Sequence, residues 1–407
     1  MHWLWIAIEL AVETLAAWTV AVHACMVTGA ASWVARPLFA GLLAALLVAQ
    51  RGRFARAAAR GRDPGERATA LAALAIGAAF GALSLCLLTP SGDDFDFFHR
   101  ALWQQGHPEA PFAFHDTAFA AEGLAAISPL HAMTTWEHGI AAVADVLGLD
   151  ALGVYHNGAI VASHLVLASV LVLLVRELGF GVRAAAAGAI AAFAFLAVDD
   201  PGLRSFGIAW RMLWVGKMVQ WLVLLPAALL FALRYARAPS ARALLHPALC
   251  GTCAIGLSGT GVFLLPGVFA AASVAMLART AFAPRALARA AALNAGSLYC
   301  VGVAALVLAR VLAPPDDVRA WTEPFPDAWW ANLALTFGHV PGALRNAVLA
   351  VAVPALVLRG APRRFVVAYA LALVALFANP LTGPLWLRAA QPGAYWRVMM
   401  LFPVPLG

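Results

Sequence analysis

Residues 153–175 read GVYHNGAIVASHLVLASVLVLLV, twenty-three positions without Asp, Glu, Lys or Arg, closed by Arg176 and Glu177. At 1.5 Å rise per residue, about 20 apolar residues cross the ~30 Å hydrocarbon layer of a bilayer as a helix. The run mixes Ala, Leu and Val without strict alternation, so a membrane helix is expected rather than a barrel strand. Lipid offers the backbone no hydrogen bonds, which leaves the helix as the available conformation.

Runs of this kind recur outward in both directions. Spans are expected near 3–27, 34–49, 69–89, 153–175, 184–198, 218–233, 246–258, 261–278, 290–312, 343–358, 365–379 and from 397 onward. The composition agrees. Hydrophobic residues make up 63% of the 407 positions and charged residues 12%, about half the charged share of a soluble domain, roughly 25%. The expected fold is all-α and polytopic, with about twelve transmembrane helices and interfacial helices in the first long outer loop. Residues 1–10 lack a positive segment, so the first run is read as a retained helix and not a cleaved signal.

Orientation follows from arginine. Stretches 51–67, 176–183, 234–242, 279–289 and 359–364 hold most of it, and all fall on one side if the spans alternate. The positive-inside rule makes that side, and the N-terminus, cytoplasmic. The formal charge of +7 thus reports topology, and no aromatic-interleaved basic face points to nucleic acid. The opposite side receives the long loops 90–152, 199–217, 313–342 and 380–396 and most of the carboxylates. Two units are expected. Residues 1–68 form two additional N-terminal helices with a basic cytoplasmic loop, and residues 69–407 form the main bundle. Chemistry is expected at the outer membrane–water boundary.

Four stretches carry candidate chemistry. Asp93, Asp94 and Asp96 crowd three repelling carboxylates beside the third span, followed by His99. Such a group can serve as general base, and the Asp93–Asp94 pair as oxygen ligands for a divalent cation, Mg or Mn. The alternative is an acidic helix start facing the positive end of the dipole. Arg211 and Lys217, the latter the single lysine, lie between tryptophans on the outer side and suit a lipid phosphate; snorkelling anchors are the alternative. The Gly256–Gly261 stretch, with Ser258, frees backbone for a ligand or forms a tight hairpin. Arg397, after Tyr395 and Trp396, is a further candidate partner for a phosphate or carboxylate, with an interface anchor as the alternative.

Elsewhere, Ile140, Ala141, Val143, Ala144 and Leu147 stand at helical spacing and read as an interfacial helix, while His131 and the pair Glu137-His138 lack a compact metal-site spacing. Glu9 and Glu13 share one face of the first span and suggest a proton path or an interhelical partner. Cys250 and Cys253 form a CxxC without zinc-type neighbours and read as small packing residues, as His23 and His164 read as packing or interhelical hydrogen bonds.

Taken in order, Gly92-Asp93-Asp94 with the aromatics that follow, Arg211 to Lys217, Gly256-Leu257-Ser258, and Asn379-Pro380 with Tyr395-Trp396-Arg397 resemble the GT-C superfamily of polytopic glycosyltransferases. More narrowly they resemble a set of uncharacterised bacterial GT-C-like membrane proteins. In that superfamily the acidic loop commonly follows the first span, whereas here it follows the third. The resemblance implies Asp93 or Asp94 as base or metal ligand, and Arg211 and Lys217 near a donor phosphate. It implies a polyprenyl-phosphate sugar as donor, a glycan or other envelope acceptor, and residence in the bacterial cytoplasmic (inner) membrane with the active face outside. A flippase or transporter of a lipid-linked glycan, and a non-catalytic subunit of an envelope polysaccharide assembly complex, are the rival readings.

Overall fold

The computed structural model describes residues 2–54, 64–87, 93–112, 133–197, 210–280, 283–311, 351–377 and 379–390. Among these residues every regular element is helical, and the one extended pairing is an isolated bridge between Ala31 and Pro111. The helices are α1 (His2–Thr28), α2 (Ala35–Ala49), α3 (Pro64–Cys86), α4 (Asp93–Gly106), α5 (Trp136–Leu147), α6 (Ala151–Glu177), α7 (Val182–Ala197), α8 (Gly216–Arg237), α9 (Ala241–Leu257), α10 (Gly261–Ala278), α11 (Pro284–Ala295), α12 (Leu298–Val311), α13 (Gly360–Phe377) and α14 (Gly383–Ala390).

Seven of them are long and apolar enough to cross a bilayer: α1, α2 with its leading 3₁₀ turn Ser32–Val34, α3, α6, α8, α10 and α13. The protein is a multi-pass helical membrane protein. The expected ninth span is instead two helices, α11 and α12, bent by 43° at Gly296-Ser297, and an eighth crossing if counted as one. Helices α7 and α9 are apolar but shorter. The expected spans at 343–358 and beyond 397 lie largely or wholly outside the described residues.

Close backbone approach explains several contacts. Gly77 and Gly81, four apart on α3, face α6; a Cβ on Gly77 would sit 2.7 Å from the Leu165 Cα. Small residues at this spacing let two membrane helices touch at the backbone, where dispersion replaces the missing hydrophobic drive. Gly251 of α9 likewise faces the carbonyl of Gly296, so the α11–α12 break sits against a helix with no side chain there. Helices α6 and α8 run through the interior, and α1 packs along α2 and α9.

The arginine-bearing end is closed by a buried ion network. Glu13, fully buried on α1, accepts from Gln50 Nε2 at 2.6 Å and from both Arg53 amino groups, one at 2.6 Å, and pairs with His246 Nε2 of α9 at 2.9 Å. Glu9, one turn earlier, accepts from Arg234 of α8 at 2.9 Å and meets Arg53 at 3.4 Å. Two carboxylates face two guanidiniums, Arg53 buried and Arg234 half exposed. The two glutamates therefore have interhelical partners, one of the two roles expected of them.

Candidate functional site

The opposite end of the bundle is built around residues 133–135, the strand of chain that enters α5. Three residues of α1 hold it. Trp18 Nε1 donates to the Thr135 carbonyl at 2.8 Å, Thr19 and Thr135 hydroxyls share a hydrogen bond of 3.0 Å, and His23 Nε2 meets the Met133 carbonyl at 2.8 Å. The other His23 nitrogen reaches the Tyr299 hydroxyl at 3.0 Å, the interhelical bonding expected of it. The Thr135 N–H donates to the Gly256 carbonyl at 2.7 Å. A Cβ at Gly256 would collide with the Thr19 and Thr135 hydroxyls, which is why glycine stands there.

Pinned in this way, α5 packs at this end of the bundle. It buries Ile140, Ala141 and Ala144 and exposes Val143, Val146 and Leu147. Gly148 closes it in the left-handed conformation at φ +63°, a position that suits glycine. Asp150 then starts α6 by accepting from the Gly153 N–H at 2.5 Å. The first residues of α6 form a π turn, Val154–Gly158, and α8 contains a second, Gln220–Leu224. Such turns inside a helix recur at functional positions because they displace one residue outward.

The sequence-selected residues fall around this end. Helix α4 begins at Asp93, with Asp94 and Asp96 in its first turn, though the side chains of 93–97 lie outside those described. Four residues past Asp94, Phe98 is buried and stacks on Tyr155 of the π turn with centroids 4.3 Å apart. The neighbouring His156 meets the Trp214 ring edge-on at 5.4 Å. Trp214 in turn accepts from Trp136 Nε1 at 2.6 Å through its carbonyl. Lys217 follows three residues later, half-buried at the start of α8. A Cβ at Gly216 would strike the Leu257 carbonyl, so the α8 start sits hard against the end of α9. His99 is half-buried on α4.

Arg211 lies in a 3₁₀ turn, Trp210–Met212, with its guanidinium 5.8 Å above the Trp210 ring and its carbonyl 3.4 Å from the Ser84 hydroxyl. The Gly256–Gly261 stretch forms the tight hairpin alternative, joining α9 to α10. In it the Ser258 hydroxyl bonds that of Thr260 at 3.0 Å, and Thr260 donates to Gln220 Oε1 at 2.8 Å. Gln220 closes the link by donating to the Ala254 carbonyl at 2.9 Å, so Ser258 connects through Thr260 to the helix that Lys217 opens. Arg397 lies outside the described residues. Cys250 and Cys253 are buried, unbridged packing residues. Among the described residues no three His, Cys, Asp or Glu side chains come together as a metal site.

Two buried polar residues lie in stretches that the sequence singled out but were not chosen there as site residues. Arg100 of α4, 6% exposed, donates to the Thr134 hydroxyl at 3.0 Å. His138 of α5 is 7% exposed. Burial drives its imidazole down to about 3, and the nearby Arg100 charge pushes the same way. It is neutral at physiological pH.

Comparison with known protein families, with curated proteins and with solved structures finds no match to this chain.

Proposed function

We propose that the protein is an integral membrane glycosyltransferase of the bacterial cytoplasmic membrane. It takes a polyprenyl-phosphate-linked sugar from the bilayer and transfers the sugar to an acceptor hydroxyl at the extracytoplasmic face. In this reading Asp93 or Asp94 accepts the proton of the acceptor hydroxyl. The freed oxygen attacks the anomeric carbon, the bond from that carbon to the phosphate oxygen breaks, and polyprenyl phosphate departs with the electron pair. Arg211, Lys217 and Arg397 balance the charge that gathers on the leaving phosphate. Asp96, His99 and Ser258 are assigned to binding in this reading. The donor set that suits a divalent cation is the Asp93–Asp94 pair, whose hard oxygens fit Mg or Mn.

What supports this reading is the run of ring contacts, Phe98 on Tyr155 and His156 on Trp214. It brings the helix that opens with the acidic cluster to the segment that ends at Lys217. Both Tyr155 and His156 belong to the π turn Val154–Gly158.

The test uses the full chain in lipid nanodiscs with labelled polyprenyl-phosphate sugars and a membrane glycolipid acceptor. Transfer should appear as a covalent product. Asp94→Asn should fold normally yet lose about 10²–10⁴-fold in rate. Full transfer by that variant removes the role of Asp94. Movement of label across the bilayer without a covalent product supports a flippase instead.

A further inference from the structure

A cleft opens on this same end of the bundle, between α1, the Ser32–Val34 turn, α4 and α5, and apart from Lys217. It is lined by Trp18, Trp33, Gln104, Gln105, Phe112 and His138. Its accessible volume is about 40 Å³. A cavity of roughly 10–15 Å³ on that measure holds one water. The cleft therefore admits a hydroxyl or hydroxymethyl group, and anything larger must remain at its mouth.

The lining has a definite chemistry. Neither ring nitrogen of His138 makes a hydrogen bond among the described residues, although the side chain is more than nine-tenths buried. A neutral imidazole offers one donor and one acceptor. Gln105 gives its amide N–H to the Ala141 carbonyl at 2.8 Å and keeps its oxygen as an acceptor. Trp18 spends its indole N–H on Thr135, and Phe112 sets its ring edge-on to His138 at 5.1 Å, so both add apolar wall. At the mouth, Trp33 is half exposed and tied to Glu109 at 3.1 Å. Beside it Arg36 pairs with Asp145. A donor and acceptor on His138, an acceptor on Gln105 and aromatic walls describe a polyhydroxyl ligand.

We infer that this cleft is a carbohydrate-binding subsite: a sugar hydroxyl or hydroxymethyl enters to meet His138, and the sugar ring lies against Trp33 at the mouth. Measured along α4, the cleft residues 101–105 stand roughly 12–17 Å from the acidic start. As the docking place of the acceptor glycan, beyond its reacting end, the subsite rests on the transferase reading above; as a sugar site it does not.

The experiment is saturation-transfer NMR on the full chain in lipid nanodiscs, free of sugar detergents, with the methyl glycosides of glucose, galactose and N-acetylglucosamine. At least one glycoside should receive magnetisation. Trp33→Ala and His138→Phe should each weaken binding by about fivefold or more, the loss of one hydrogen-bonded or stacked contact. Trp33 is half exposed, so its variant tests the site even where His138→Phe fails to fold. No transfer to any glycoside, transfer unchanged in both variants, or stronger transfer to glycerol phosphate than to the glycosides overturns the proposal. Asp94→Asn should bind the glycoside as the parent does. Glycoside binding by a parent chain that shows no transfer with any donor would fell the transferase reading and leave the subsite standing.

Discussion

Replacing Glu13 by Gln should destabilise the protein more than the loss of any exposed ion pair. Glu13 is fully buried, and Arg53, its principal partner, is 4% exposed. The carboxylate takes hydrogen bonds from Gln50, from both amino groups of Arg53 and from His246. Without its charge, Arg53 keeps Glu9 at 3.4 Å, and Glu9 is already engaged by Arg234 at 2.9 Å. A buried guanidinium short of one carboxylate costs about 3–5 kcal/mol. The exposed pair Arg36–Asp145, at 44% and 48% exposure, supplies the control: Asp145→Asn should cost about 0–1 kcal/mol. The double variant Glu13→Leu with Arg53→Met removes one charge of each sign and leaves Glu9 with Arg234. It should recover most of the loss, since apolar replacement of a buried pair is often neutral. Unfolding can be followed through the buried thiols of Cys25, Cys250, Cys253 and Cys300, which become reactive as the bundle opens, after the exposed Cys86 is replaced by Ser. Equal midpoints for Glu13→Gln and Asp145→Asn, or a double variant as unstable as the single, would refute the reasoning.

Two further outcomes are expected. Gly251→Ala puts a methyl group into the carbonyl of Gly296, and overpacking there should cost at least about 1–3 kcal/mol, while Gly41→Ala, which meets nothing within 4 Å, should be neutral in the same thiol assay. The depressed imidazole of His138 predicts loss of stability on acidification. Its folded value of about 3 lies below the ordinary 6.5, so below pH 6.5 the unfolded chain takes a proton that the folded one refuses. Stability is full above pH 6.5 and falls toward pH 3, by up to about 4–5 kcal/mol at 1.36 kcal/mol per unit. His138→Gln should flatten that part of the pH–stability curve, and an unchanged slope would place the acid sensitivity elsewhere.

The bundle was legible in the sequence because lipid imposes one rule along the chain: an apolar run long enough must be a helix. The edges of α1, α2, α6 and α10 follow the charge boundaries closely for that reason. What the pattern hid depends on contacts between distant stretches. Gly77 and Gly81 look like ordinary small residues until α6 lies across them. Gly296-Ser297 bends one expected span into α11 and α12 because α9 presses its glycine face there. For the Gly256–Gly261 stretch both a ligand loop and a hairpin satisfied the glycines, and Gln220, 40 residues away from Thr260, is the partner that makes it a hairpin. Arg100 and His138 were not chosen as site residues because a single polar residue on a mixed helix carries no periodic signal. Only the packing of α4 on α5 buries both.

Helix α1 connects the two ends of the molecule through polar side chains in an otherwise apolar segment. Toward its start Glu9 and Glu13 bind Arg53, Arg234 and His246; toward its end Trp18 and His23 bind backbone carbonyls of residues 133–135, Thr19 binds the Thr135 hydroxyl, and His23 also meets the Tyr299 hydroxyl. In lipid each of these groups would be costly unless paired. Their partners come from α8, α9, α12 and the entry to α5, so the pairs set both the depth and the rotation of α1. Apolar contacts alone would set neither, since Leu and Ala slide past one another with little penalty where lipid is equally apolar. The same pairs therefore fix α5, and with it Trp136 and His138, against the helices that carry Lys217 and the acidic start of α4. The geometry of the candidate site is thus referred to a helix that contributes no residue to the proposed chemistry.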